Sequence, residues 1–390
     1  MRNPLVTLLA LGLPLALMAA AWLAEAADRQ SHCRDSGVCT VFDEALTAKS
    51  WTDAGAGAAV GAATFDGAIS WFGATHDALI TTDFPGGYSV AFYPGGNAGV
   101  GADPTGKVVF FDNLTGSSTD LEIGDAFPEP GYDADGNVAL AVGNSRVAFY
   151  SALTHSAAEH EFPERAEAEA GYDVAAAAVA GVTGTEAVFF DGVSGQLHTA
   201  SLDSAESVVV DSGGTVSLAA TDGGAVAFFS VGLTAPVRTR LGDLDVAKAG
   251  DGNVAMAADV GGDVAFFDHQ SGTIATGSVG NGSGLAAAAG FNVAVAGADN
   301  GRVLFFDAFR HQIRSTDLPA ADLVGVDTVG NVAMAMYANG WVAFYGAATD
   351  TLVTHELPDE PLGRAGFDVA VAAAPGLPVQ VAIFDGINGQ

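Results

Sequence analysis

The chain has 390 residues, 49% of them hydrophobic, with 14 Lys+Arg against 46 Asp+Glu and a formal net charge of −32. The apolar content and 23 Phe exclude a disordered chain. The shortage of basic residues excludes nucleic acid as a partner and disfavours anionic membrane surfaces, because no basic patch exists to meet phosphates.

Residues 1–26 read as a secretory signal peptide. Arg2 supplies a positive start, Leu5 to Leu23 is an apolar run, and Ala24-Glu25-Ala26 is a small-x-small cleavage site before Ala27. An uncleaved anchor is the alternative for a run of this length. Export predicts an oxidising compartment, periplasmic or extracellular. Cys33 and Cys39 are then expected to pair as a structural disulfide in segment 27–51. The lysines are Lys49, Lys107 and Lys248 alone, so the charge comes from missing bases. Adaptation to a salty milieu would account for it, since salt screens self-repulsion.

From residue 52 onward internal repetition dominates. An aromatic pair recurs every 38–40 residues: Trp71-Phe72, Phe110-Phe111, Phe149-Tyr150, Phe189-Phe190, Phe228-Phe229, Phe266-Phe267, Phe305-Phe306 and Phe344-Tyr345, with Ile383-Phe384 as a degenerate ninth. Before each pair an Asn, Asp or Thr opens a small-apolar strand, as in Asn292-Val293-Ala294-Val295-Ala296. A Gly-bearing turn leads into the aromatic strand, and an Asp-x-x-Ser/Thr-Gly turn such as Asp112 to Gly116 leaves it. A more polar strand and a short fourth one complete the unit.

Four short strands in about 39 residues, with turn chemistry between each pair, predict an all-β β-propeller over 52–390. The count gives nine four-stranded blades, with eight plus one irregular unit as the alternative. The final unit lacks its outermost strand. Residues 44–51 are expected to fill that place and close the ring, removing the free sheet edge.

The Asn-Val-Ala-x-Ala strand, the Val-x-Phe-Phe-Asp strand and the Asp-x-x-Ser/Thr-Gly turn resemble the YVTN-type and tryptophan–aspartate-type propeller superfamilies. The turn is also similar to the repeat of pyrroloquinoline quinone propellers. However, the Trp that family carries four residues after the Gly is replaced here by Asp120, Thr199 and Thr276.

Chemistry-bearing motifs are scarce. No nucleophile elbow, P-loop, dinucleotide fingerprint, haem site or zinc spacing occurs. The recurring Asp112, Asp191, Asp268, Asp307 and Asp385 read as turn caps, one per blade. His155, His311, His160 and His355 read as inert surface residues, and the aromatic pairs as core. Two weak binding candidates remain. Tyr172, Phe291 and Phe367 share a turn on one rim. Glu161, Glu164, Glu167 and Glu169, with Glu159 and Arg165, form an acidic stretch able to take a basic partner or calcium. The expected function is an exported, non-catalytic, monomeric binding scaffold for a protein or glycan. No catalytic, cofactor-binding or metal residue is predicted, and calcium is the one cofactor kept open. The alternatives are a channel-mouth hydrolase or lactonase, and a lectin-like or surface-layer protein. The inner strands look bland for catalysis.

Overall fold

The computed structural model describes residues 52–390 apart from 55–59, 66–67, 74, 76–77, 85–90, 125–130, 281–282 and 377. The expected signal peptide, the expected Cys33–Cys39 disulfide and the expected closing strand 44–51 lie outside the described residues.

Each repeat folds as an antiparallel meander. Among the described residues there are eight four-stranded sheets and a ninth of three strands. In order along the chain they span 52–83, 91–122, 131–161, 167–202, 208–240, 244–278, 286–317, 323–356 and 362–385. The ninth runs to the aromatic strand Gln380–Asp385, and among the described residues no fourth strand pairs with it.

Burial along each sheet explains its sequence. Second strands such as Val174–Val179 are buried at every position, so they read as a continuous small-apolar run rather than an alternation. Their Ala side chains let neighbouring sheets approach face to face. Fourth strands such as Ser117–Glu122 are largely exposed and polar, and form the outer edge. First strands pack against the first strands of neighbouring sheets, which makes them the inner edge. The arrangement is propeller-like.

The aromatic pair is the mortar. The first member of each pair stacks on the second member of the next. Trp71 meets Phe111 at 5.7 Å, Phe110 meets Tyr150 at 5.3 Å, and the series continues to Phe344 and Phe384 at 5.7 Å. Five further stacks fill the interfaces between. Each adds about 0.5–1.5 kcal/mol beyond the area it buries.

The Asp-x-x-Ser/Thr-Gly turns cap as predicted and do more. Asp112 accepts from the backbone N–H groups of Leu114 and Thr115 at 2.7 and 3.0 Å. Gly116, Gly195 and Gly272 follow in the left-handed region that this turn needs. In three sheets His155, His311 and Asp350 hold that strained place instead. His155 Nδ1 lies 2.7 Å from buried Asp112 of the preceding sheet, and His311 Nδ1 lies 2.5 Å from buried Asp268. Tyr150 and Tyr345 hydroxyls donate to Asp112 and Asp307 at 2.8 and 2.7 Å. These histidines are therefore inter-sheet ties, not the inert surface residues that their periodicity suggested.

Candidate functional site

Two series of positions along the inner edge carry the polar chemistry. The first lies in the first strands, opposite the middle of each second strand. Asp133 pairs with Leu140, Glu169 with Ala176, Asp211 with Leu218, Lys248 with Met256, Asp327 with Met334 and Arg364 with Val371. The inner strands are thus not bland. Asp133 accepts from the backbone N–H of Ala170 in the next sheet at 2.9 Å, and Asp327 does the same with Ala365. Asp211 holds the equivalent place in the fifth sheet, opposite Leu218. Asp133 and Asp327 tie inner strands together.

The Glu169 and Asp211 carboxyls act on one another. Burial first, then the charges of Asp211 and Asp133, push the Glu169 carboxyl up to about 7 against the pull of Lys248. Burial also raises Asp133 and Asp211. Two adjacent carboxyls, both raised, resist ionising together. Lys248 stands 3.9 Å from Asp211, and Arg364 stands 3.8 Å from Asp327.

The second series is the turn between first and second strands. From the second sheet to the eighth, the residue opening the second strand donates its backbone N–H to a carbonyl of the next sheet. Asn137 reaches Tyr172 at 2.7 Å, Asp173 reaches Gly214 at 2.9 Å, Asn253 reaches Phe291 at 2.7 Å and Asn331 reaches Phe367 at 2.7 Å. Side chains run a parallel chain: Asn97 to Asn137 to Asp173, and Asn253 to Asn292 to Asn331 to Asp368. The Asn of the repeat is therefore a sheet-to-sheet belt, a role its local strand-opening place did not reveal. Directly before it, Gly136, Gly252 and Gly330 leave room for the next turn. A Cβ on Gly330 would sit 2.3 Å from the Phe367 carbonyl oxygen.

The predicted aromatics fall on this rim. Tyr172, Phe291 and Phe367 are all exposed. Phe291 and Phe367 come from sheets two apart, yet their ring centroids are 5.8 Å apart, because Gly330 of the sheet between has no side chain. Tyr172 lies over Gly136 in another sector. The acidic stretch does not stay together. Glu159 and Glu161 sit on an outer strand, paired with Arg146 at 3.3 and 2.6 Å. Glu164 and Glu167 are exposed, and Glu169 alone turns inward beside Asp211. Among the described residues no group of three or more His, Cys, Asp or Glu is arranged to hold a metal ion. A shallow cleft of about 670 Å³ on the opposite rim is lined by Glu206, Asp222 and Asp243 beside Val182 and Leu244.

No family model matches the chain, and no curated protein matches it. Solved structures do. The computationally designed Ika8 protein is 17% identical, covering 75% of this chain and 94% of its own, with a TM-score of 0.33. Apo AztD from Citrobacter koseri is 10% identical, covering 78% and 95%, with a TM-score of 0.33. BamB from Moraxella catarrhalis is 16% identical, covering 75% and 95%, with a TM-score of 0.31.

Proposed function

We propose that this chain is an exported binding scaffold of nine propeller blades, non-catalytic, whose inner edge and adjoining rim meet a partner. One observation carries the reading. The repeats serve as an internal comparison, and the frame positions barely vary: the stacked aromatics, the belt and the turn caps recur from sheet to sheet. The inner-edge positions vary freely among Tyr93, Asp133, Glu169, Asp211, Lys248, Ala288, Asp327 and Arg364. A rigid frame with an unlike residue at each inner place suits recognition of one asymmetric ligand better than nine-fold lectin sites. Closure of the ring by residues 44–51 and the first sheet belongs to the same proposal, and it makes the inner edge a channel.

The test is thermal melting of the chain from Ala27 with EDTA, calcium, sugars, lactones and quinones. A ligand at 100 times its Kd stabilises by about 2.7 kcal/mol. The scaffold reading expects no turnover of any compound in the panel. Hydrolysis that Glu169→Gln abolishes would replace it with the hydrolase reading. That second reading is favoured by the raised Glu169 carboxyl next to Asp211, with Lys248 3.9 Å from Asp211, a form suited to acid–base work. A calcium shift would assign the acidic residues a metal-binding role.

A further inference from the structure

We infer that the rim of turns between first and second strands docks a basic, aromatic-bearing peptide segment of a protein partner. This rests on the scaffold reading and names its partner's chemistry. The apolar half of the surface is the Phe291–Phe367 pair, with rings 5.8 Å apart and 39% and 54% exposed. Val329 stands beside Gly330 between them and is 43% exposed. Single exposed apolar residues are ordinary, but two touching rings with a valine between form a patch.

The acidic half is Asp135 and Asp251, at the turns of the third and sixth sheets. Asp135 is raised by burial first, and also by the charges of Asp133, Asp251 and Asp173. Asp135 and Asp251 each stand one residue before a rim glycine, Gly136 and Gly252, against which the rings of Tyr172 and Phe291 lie. A cationic side chain placed there would relieve their repulsion, and a chain of net charge −32 would draw a basic segment from a distance. Aromatic faces next to carboxylates also favour Lys or Arg through cation–π attraction.

The same rim argues against a glycan. Sugar hydroxyls want free amide donors and acceptors around the aromatic platform. Here the backbone N–H groups of Asn253, Asn292 and Asn331 are spent on the next sheet's carbonyls, and their side-chain amides are spent on one another.

The experiment uses the chain from Ala27 and three fluorescein-labelled peptides: alternating Lys and Phe, alternating Lys and Gly, and alternating Glu and Phe. Anisotropy should show saturable binding of the Lys–Phe peptide alone, weakening with salt. Phe291→Ala with Phe367→Ala should cut its affinity by at least about tenfold, the scale of a central aromatic contact. Asp135→Asn with Asp251→Asn should weaken it and flatten its salt dependence. Phe309→Ala, an exposed aromatic of another turn, should change nothing. Melting curves of each variant separate lost binding from lost fold, and Phe367→Leu supplies a milder change if the double variant unfolds. Equal binding of the Lys–Gly peptide, unchanged binding in the folded Phe variants, or displacement by a neutral maltooligosaccharide would overturn the inference. Mass spectrometry of the recovered peptide reports on the scaffold reading separately. Cleaved peptide would sink that reading, whereas intact peptide with unaffected variants would sink only the placement on this rim.

Discussion

Glu169 is a carboxyl whose chemistry the fold changes strongly. Its carboxyl is pushed from 4.5 to about 7, so the folded chain keeps a proton that the unfolded chain gives up above about pH 4.5. The stability this proton brings is complete below that pH and drains away as pH rises to about 7. Asp133, Asp135 and Asp211 are raised as well and act with the same sign. Glu169→Gln keeps a donor toward Asp211 without a charge. It should therefore flatten the fall of Tm between about pH 5 and 7 and raise Tm at pH 8, while Asp133 and Asp211 leave a residual slope. A variant with the wild-type slope would mean that Glu169 does not hold that proton. Asp112 gives a second test. It is fully buried and holds its own turn, Tyr150 and His155 together. Asp112→Ala should cost on the order of 3 kcal/mol in chemical denaturation, because those donors lose a charged acceptor. Asp385→Ala should cost less, since among the described residues that half-buried carboxylate bonds within its own turn. The turn caps were legible in the sequence because capping is local. The ties from His155 and His311 were not, because their partners lie 43 residues away.

At the scale of the turn and the strand, glycine separates frame from filler. Gly330 has a φ of +64°, and a side chain there would meet the Phe367 backbone at 2.3 Å. Gly330→Ala should cost at least about 2 kcal/mol, combining left-handed strain with a shifted neighbouring turn. Gly223 has open space around it, so Gly223→Ala should fall within about 0.5 kcal/mol of wild type. Comparable losses at both sites would show that the belt of turns contributes no special constraint. Strand existence, order and turn chemistry were readable because period, aromatic pairs and Gly-bearing turns repeat in register. The inner-edge charges were harder to see. Asp133, Glu169, Asp211, Asp327 and Arg364 each stand four residues before the belt residue, so aligning the repeats would have grouped them. Their chemistry differs at each copy, however, and a search for recurring residue types passes over it. The acidic stretch misled for the opposite reason. It is continuous in sequence, but the chain crosses from outer to inner edge within it, and only Glu169 arrives beside another carboxyl.

The two ends of the repeat array decide how the whole molecule holds together. Every interior sheet has both faces covered. The ninth leaves Val369, Val371, Val381 and Ile383 exposed on the face that the eighth buries with Val332, Met334, Val342 and Phe344. Ile383 stands where other sheets offer the first aromatic of the pair, and Phe72 of the first sheet is a second member with no partner before it in the stacking series. Joining these halves would repeat the interface already made eight times, and residues 44–51 would supply the missing fourth strand. Ile383→Asp discriminates between a ring and an open arc. At 65% exposure in an open arc, the substitution should cost within about 0.5 kcal/mol. In a closed ring the new carboxylate would be buried against Phe72 and should cost on the order of 3 kcal/mol or more. The proposal expects the larger value. It also expects a chain beginning at Thr52 to melt lower, bind a hydrophobic dye and associate, because the uncovered face must find other cover. Monovalent salt should raise the melting temperature of both chains, since a net charge of −32 repels itself whether or not the ring is shut. A neutral Ile383→Asp with an unchanged truncated chain would leave the array open, and the inner edge would then be a groove rather than a channel.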